Sequence, residues 1–253
     1  RAVLCEQQQI TYVHNAALTF NEEHIQAEQE QAQRAGYWAN LYEQVRTPNW
    51  PVLTAPMNSG QLQEHTFCLN ETDNQTLQQL AQTNDTSLNT VLLALTETVL
   101  GTLLNGEPFT LHTITSYRAR YEHTVTANLL YYVPINFSAP ATTVAAAIPL
   151  AKNRLAEMID HLPLAMPQER VSPRPVMTLN ITTATPVTPN SATANTRISI
   201  QPFNGVIHRE RFPLNISMVA GEQLVHITVS ALPGIPITGT GFETTCRQLL
   251  KNL

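Results

Sequence analysis

The clearest hydrophobic pattern in the chain runs from Leu88 to Leu103, where apolar residues recur every three or four positions. This spacing places them on one face of an α-helix. The polar cluster from Asn84 to Ser87 supplies capping residues before the run, and Asn105-Gly106 supplies a stop signal after it. The sequence therefore predicts a core helix over this stretch.

Shorter segments with other patterns surround that helix. Strands are predicted where apolar and polar residues alternate and where β-branched or aromatic residues are frequent. Helices are predicted where acidic residues precede a Gln-rich or Ala-rich run. The predicted strands are Ile10 to Phe20, Glu64 to Leu69, Phe109 to Tyr117, Leu130 to Phe137, Val176 to Thr182, Thr196 to Ile200 and Val206 to His208. The predicted helices, besides the core helix, are Glu22 to Gln44, Asp73 to Thr83, Ile148 to His161 and Phe242 to Leu250.

The order of these elements indicates the fold class. Phe212 to Val219 and Gln223 to Ser230 flank Ala220-Gly221, which is the pattern of a β-hairpin. Helices alternate with strands before this hairpin, so we predict an α/β fold with a mixed sheet flanked by helices. The Pro-rich stretch Thr47 to Gly60 follows neither the helical nor the strand pattern of apolar residues. We therefore divide the chain into residues 1–60, with a strand, a long helix and this connector, and residues 61–253.

Composition narrows the classes of function. Charged residues make up 13% of the 253 residues and the net charge is -5, with no run of Lys or Arg. A nucleic-acid-binding surface is therefore not expected. No apolar stretch reaches the ~18 residues that a membrane span needs. We expect a chain with no membrane span, located in the cytoplasm.

The cysteines and the possible glycosylation sites indicate in which cellular compartment the protein would be found. Cys5, Cys68 and Cys246 are far apart and odd in number, so we interpret each as a free thiol. A secreted, glycosylated binding domain stays open as an alternative, because Asn-x-Ser/Thr sequences permit glycosylation. They occur at Asn70, Asn74, Asn84, Asn136, Asn180 and Asn215.

Common catalytic and cofactor motifs are missing from the sequence. It contains no GxxxxGK[ST], GxSxG or HExxH, and the eight histidines include no pair at metal-ligand spacing. His112 and His226 alternate with apolar residues and are interpreted as polar-face or half-buried strand residues. His123 follows a polar run at a predicted strand end, so it is either a catalytic base or a loop histidine.

Four stretches, in order, resemble the C-terminal lobe of the condensation-domain superfamily, which includes condensation and epimerisation domains of nonribosomal peptide synthetases and polyketide-associated acyltransferases. Tyr37 to Leu41 is similar to the family's YWxxxL, and Thr86 to Ala94 is similar to its TxNxxLLAA core helix. Thr115 to Arg118 stands where the family has its SGR strand end. Asn128 to Asn136 resembles the GxxxNxxP element, mainly at Pro134.

The resemblance implies a chloramphenicol-acetyltransferase-like lobe and an acyl-transfer function. The acyl group would arrive as a thioester, on the phosphopantetheine of an acyl carrier protein or on CoA, and would pass to an amine or hydroxyl. The family's HHxxxDG is absent from this sequence. We therefore expect no catalytic residue and no directly bound cofactor here, an inactive isolated chain, and an N-terminal lobe or companion chain that supplies the histidine. The alternative is a degenerate, non-catalytic domain that binds a partner or carrier protein.

The resemblance also assigns roles at the predicted strand end. Arg118 would pair with the Asp of HHxxxDG at the junction of the two lobes, unless it is simply a surface arginine. Ser116 would line the substrate tunnel. Tyr117 stands in place of the usual glycine and would add bulk there, which puts a standard substrate geometry in doubt.

Three further residues are tunnel candidates. Tyr131 and Tyr132 would form an aromatic wall for an acyl chain, or would pack in the core. Because consecutive strand residues point to opposite faces, at most one of the two would face a substrate. His123, in the loop between the two matching stretches, is the third candidate.

Overall fold

The computed structural model describes residues 36–53, 62–116, 130–161, 175–183 and 212–253. A short helix at residues 36–43, named α1, and a single 3-10 turn at Pro51–Leu53 come first. The elements that follow are β1 (Gln63–Leu69), α2 (Glu71–Thr83), α3 (Leu88–Leu103), β2 (Phe109–Ser116), β3 (Leu130–Phe137), α4 (Val144–Asp160), β4 (Met177–Thr183), β5 (Leu214–Ala220), β6 (Val225–Ala231) and α5 (Gly239–Leu250).

The described strands form one mixed sheet in the order β1-β6-β5-β4-β2-β3. β4 runs parallel to both β2 and β5, and the other neighbouring strands are antiparallel. β5 and β6 form the predicted hairpin, in which the Gly221 N–H donates to the Leu224 carbonyl at 2.9 Å. The prediction of an α/β fold with a mixed sheet is therefore confirmed.

The two faces of this sheet differ in polarity. On β5, Leu214, Ile216 and Met218 are fully buried, whereas Asn215 and Ser217 between them are only half-buried. The same alternation continues on neighbouring strands, since successive strand residues point to opposite faces. The apolar face packs against helices α3 and α5, and α3 also contacts α2 and α4. The second face is therefore the polar face of the sheet.

The core helix α3 begins and ends as the sequence predicts. The Ser87 side chain accepts the Thr90 N–H, and Asn105 and Gly106 adopt positive φ angles of 54° and 77°. Every residue from Thr90 to Gly101 is buried. The helix is therefore covered all round, and this explains why its apolar stripe is broad.

Helix α4 begins earlier than the predicted start at Ile148. The Thr143 hydroxyl caps the helix by accepting the Ala146 N–H at 3.3 Å, and the helix begins at Val144. Pro149 lies inside the helix, although a proline is typical of a first turn. The alanines before it carry no clear periodic signal, so the sequence pattern placed the start too late.

Some predicted elements fall outside the described residues. These are the strands at 10–20, 196–200 and 206–208 and most of the helix at 22–44, of which only 36–44 is described. The division of the chain at residue 60 therefore stays a prediction.

The start of α5 requires a glycine. A Cβ added at Gly239 would overlap the Cβ of His65 on β1. We expect Gly239→Ala to lower the free energy of unfolding by about 1–3 kcal/mol, because relieving the overlap requires the helix or the strand to shift. Urea unfolding measures the change. Gly36→Ala is the control, since the added Cβ would meet no atom within 4 Å beyond its chain neighbours and the backbone of its own helix. Equal unfolding midpoints for the two variants would contradict the assignment.

Candidate functional site on the polar face of the sheet

Cross-strand hydrogen bonds link polar side chains on the polar face. Thr66 Oγ1 lies 3.0 Å from Thr228 Oγ1, which joins β1 to β6. One rung further along, the Ser230 hydroxyl donates to Glu64 Oε1 at 3.4 Å. These bonds hold the rows of hydroxyl groups in a fixed register.

A cavity of about 550 Å³ lies on this face. Its polar floor consists of side chains from three neighbouring strands, and its apolar wall comes from the β2-β3 edge and from residues just before β1 and β5. No charged side chain lines it among the described residues. The floor residues are Asn180, Asn215, Ser217, Thr228 and Ser230, and the wall residues are Leu62, Ile114, Tyr132 and Phe212.

One end of the wall is aromatic. The rings of Tyr132 and Phe212 lie 4.9 Å apart at a 60° tilt, a favourable aromatic geometry. Tyr132 is on β3, and Phe212 lies just before β5. The contact therefore brings together two segments that are 80 residues apart in the sequence.

The amide of Asn215 has a defined orientation in the floor. The Thr178 hydroxyl on β4 donates to Asn215 Oδ1 at 2.8 Å. This bond fixes the orientation of the amide, and no described residue accepts a hydrogen bond from Nδ2, so its two hydrogens can be donated to an acceptor on a ligand. The floor therefore presents a positioned donor beside the hydroxyls of Ser217 and Thr228, which donate or accept.

The last part of α1 and the residues after it contact the polar face near the start of β2. The Arg46 N–H donates to Thr110 Oγ1 at 2.7 Å, and Thr110 donates to Asn136 Oδ1 at 2.6 Å. Asn136 Nδ2 in turn donates to the Leu41 carbonyl at 2.8 Å. The segment at 41–46 is therefore hydrogen-bonded to this end of the polar face.

His112 lies two residues beyond Thr110 on β2, on the same face as the wall residue Ile114. It is 4% exposed, and no described group bonds its Nδ1. Burial lowers the pKa of His112 to about 4, against a smaller opposing effect of a hydrogen bond to the main chain of Met177. The imidazole is therefore neutral near pH 7. The sequence interpretation allowed a polar-face or half-buried residue, and the structure places it on the polar face but fully buried.

The structure places three of the sequence-predicted site residues in described strands. Tyr132 lines the cavity, Ser116 is the last residue of β2, and Tyr131 pairs with Thr115. Tyr117, Arg118 and His123 lie outside the described residues. Their predicted roles therefore stay predictions.

Sequence reasoning missed the polar floor. The signal that was available is the alternation on β5 and β6, where Asn215, Ser217, Thr228 and Ser230 occupy alternate positions between buried aliphatic residues. Such an alternation is also typical of a solvent-facing sheet surface. Only the cavity distinguishes the two interpretations.

Two of the asparagines in glycosylation sequences have structural roles. Asn74 is 1% exposed and its Nδ2 donates to the Glu222 carbonyl at 3.0 Å. Asn136 donates to the Leu41 carbonyl on α1, as described above. Neither amide is available for a glycan in the folded chain.

The described part of the chain has neither a metal-binding cluster nor a membrane-crossing helix. Its residues include no group of three or more His, Cys, Asp or Glu side chains placed to hold a metal ion. None of its helices combines the length and apolar character needed to cross a bilayer.

Comparison with known proteins places the sequence in a family context. The family model described as the Condensation domain matches residues 6–229. No curated protein sequence matches the chain.

Solved structures share the fold at low sequence identity. The epimerization domain from the third module of tyrocidine synthetase B matches with a TM-score of 0.65 at 13% identity, covering 97% of this chain and 58% of that one. The X-domain in its complex with OxyB from teicoplanin biosynthesis matches with a TM-score of 0.66 at 13% identity, covering 90% and 54%. PapA2 acyl transferase matches with a TM-score of 0.63 at 14% identity, covering 92% and 55%. The chain thus spans little more than half the length of these relatives.

Proposed function

The chain belongs to the condensation-domain family, and from that premise we propose that it forms the C-terminal lobe of an acyltransferase. In this proposal an acyl group passes from a thioester to an amine or a hydroxyl. The sequence contains no HHxxxDG, so the catalytic imidazole would come from an N-terminal lobe or a companion chain. Residues 61–253 would form the lobe, with residues 1–60 leading into it.

The uncharged cavity on the polar face is the observation that carries this proposal. Its volume of about 550 Å³ falls within the range of small-molecule sites. An acyl thioester on pantetheine is neutral along its chain and carries amide and thioester carbonyls, which are acceptors. The floor offers matching donors, and the apolar wall suits the acyl chain.

The floor would act by positioning and the missing lobe by proton transfer. Asn215 Nδ2 would donate to a carbonyl of the bound thioester and hold it in place. The acceptor nitrogen or oxygen would attack the acyl carbon, the C–S bond would break, and the imidazole of the other lobe would take the acceptor's proton. No group in this chain is required to form a covalent bond.

The strand-end residues keep the roles that the resemblance implies, as proposals. Ser116, Tyr117 and His123 would line the tunnel beyond the cavity, and Arg118 would pair across the junction with the other lobe. Tyr132 would supply the aromatic wall. The thioester carrier would be phosphopantetheine on an acyl carrier protein, or CoA.

A non-catalytic, partner-binding domain is the second candidate function. The missing HHxxxDG favours it, and one structural relative, the X-domain, is found in a complex with OxyB. In that case the polar face would bind a protein surface. A chain that binds a purified carrier protein but no small thioester analogue would favour this candidate.

Asn215→Leu tests the cavity assignment, because it removes the amide donor at similar volume. We expect the Kd for an octanoyl-pantetheine analogue, with an amide in place of the thioester, to rise about tenfold, which is the loss of one hydrogen bond of ~1.4 kcal/mol. Isothermal titration calorimetry on the 253-residue chain measures it.

Asn153→Leu is the matched control for this measurement. Asn153 is exposed on α4, on the opposite side of the sheet from the cavity, so its replacement should leave the Kd unchanged. Equal affinities of both variants and the unmodified chain would exclude Asn215 from the ligand site.

A further inference from the structure

Cys68 and His226 form a cross-strand pair on the polar face, away from the residues assigned above. Cys68 on β1 pairs with His226 on β6, and Cys68 Sγ lies 3.0 Å from His226 Nδ1. The thiol is half-buried and the imidazole is exposed. A nucleophile within hydrogen-bond reach of a base is the arrangement that activates a thiol.

The pair lies in line with the cavity. Thr66 and Thr228 form the next cross-strand pair on the same face, and Thr228 belongs to the cavity floor. Two residues along a strand cover about 7 Å. The thiol therefore lies about one such step beyond the cavity floor, within reach of a ligand that extends from it.

We propose that Cys68, with His226 as its base, accepts an acyl group from a thioester and becomes S-acylated. The thiol proton passes to His226 Nδ1 as the sulfur attacks the acyl carbon. The new C–S bond forms, the bond to the carrier sulfur breaks, and the carrier thiolate takes the proton back. Atoms balance with no oxidant, reductant or other co-reactant. The inference rests on the proposed function only for its choice of a thioester as substrate.

The surroundings of the pair fit such a site. Arg247 on α5 donates from Nη2 to the main-chain carbonyl of Cys68 at 3.0 Å, which fixes the strand at the nucleophile. On the polar face, β5 presents the apolar Val219 opposite His226. The charged group that β1 contributes to this face is Glu64, which accepts a hydrogen bond from Ser230. No described residue offers His226 a second hydrogen bond, so we expect activation to be modest.

Cys246 provides an internal comparison. It is fully buried on α5, and burial raises the pKa of its thiol to about 12. In the folded chain it therefore has no access to an electrophile and is held as the unreactive thiol. In the unfolded chain, a reaction that depends only on the presence of a thiol should modify Cys68 and Cys246 at the same rate. In the folded chain the two rates should differ.

The experiment treats the folded 253-residue chain, with Cys5 replaced by Ser, with octanoyl-S-N-acetylcysteamine. Intact mass and peptide mapping follow the added octanoyl group at each cysteine. We expect Cys68 to be acylated at least ten times faster than Cys246. His226→Phe should slow acylation of Cys68 about tenfold, while His161→Phe, at the end of α4, should leave it unchanged.

Two results of the thioester experiment would overturn the inference. One is acylation of Cys68 no faster than that of Cys246, and the other is an equal rate in His226→Phe. Iodoacetamide serves as a second electrophile, and a His226 effect on alkylation without any thioester transfer also rejects the proposal. Failure of the cavity assignment can be distinguished from failure of this inference. It would appear as an unchanged Kd in Asn215→Leu, while acylation of Cys68 would still depend on His226.

Discussion

Replacing Arg154 with methionine should lower the free energy of unfolding by about 3–5 kcal/mol, because it leaves a buried carboxylate without its cation. Glu97 on α3 is fully buried, and its Oε2 accepts a hydrogen bond from Arg154 Nη1 on α4 at 2.8 Å. Its other oxygen accepts the Ala141 N–H at 3.2 Å. The methionine keeps much of the packing that Arg154 makes over the Phe137 ring.

Urea unfolding at pH 7 measures this loss, and Lys152→Met is the matched control. Lys152 also lies on α4, but its ion pair with Asp85 is exposed and 3.7 Å long. An exposed pair contributes at most about 1 kcal/mol. A loss in Arg154→Met no larger than in Lys152→Met would show that the buried pair does not stabilise the fold as described.

The pH dependence of the Arg154 variant provides a second check. Burial raises the pKa of Glu97 above its ordinary value, and Arg154 acts in the opposite direction. A carboxyl whose pKa is raised by folding binds its proton more tightly when folded, so its contribution is most favourable at low pH and is lost as the pH rises. Without Arg154 the pKa rises further. The stability deficit of the variant should therefore shrink as the pH falls from 7 toward 5.

Local signals were sufficient to predict α3 and the β5-β6 hairpin from the sequence. The capping Ser87, the turn at Asn105-Gly106 and the spacing of leucines all lie within one stretch, and each agrees with the helix. The hairpin is similarly local. The resemblance to the condensation family rested on the same kind of short segments, and the family match over residues 6–229 confirms it.

The cavity and the buried ion pair could not be predicted in the same way. The floor joins Asn180 to Ser217 through the parallel pairing of β4 with β5, which are separated by 30 residues. The register of such a crossover depends on tertiary packing rather than on local sequence. Glu97 was visible as a lone acid within an apolar helix, but its partner lies 57 positions away on α4.

Lowering the pH from 7 to 4 should remove about 3 kcal/mol of stability through His112 alone. The folded chain holds its pKa at about 4, whereas the ordinary value is 6.5. Because folding lowers this pKa, the unfolded chain binds the proton more tightly. The contribution is therefore fully present above pH 6.5 and is lost as the pH falls through the folded value. Charging a buried imidazole whose Nδ1 has no described partner is the physical cost.

His112→Gln isolates this effect, because the glutamine amide can donate to the main chain of Met177 as the imidazole does but does not titrate in this range. Urea unfolding of both proteins at pH 7, 6, 5 and 4 gives the stability difference at each pH. We expect wild type to lose about 3 kcal/mol relative to the variant over this range. Glu97 and Glu243 also contribute to the pH dependence of stability, but both proteins contain them, so their contributions cancel in the difference. Glu97 acts in the opposite direction to His112, and the pKa of Glu243 is lowered by hydrogen bonds from His65 and Arg247. Parallel curves for wild type and His112→Gln would mean that His112 is hydrated or paired when protonated, and would contradict the pH dependence derived from its burial.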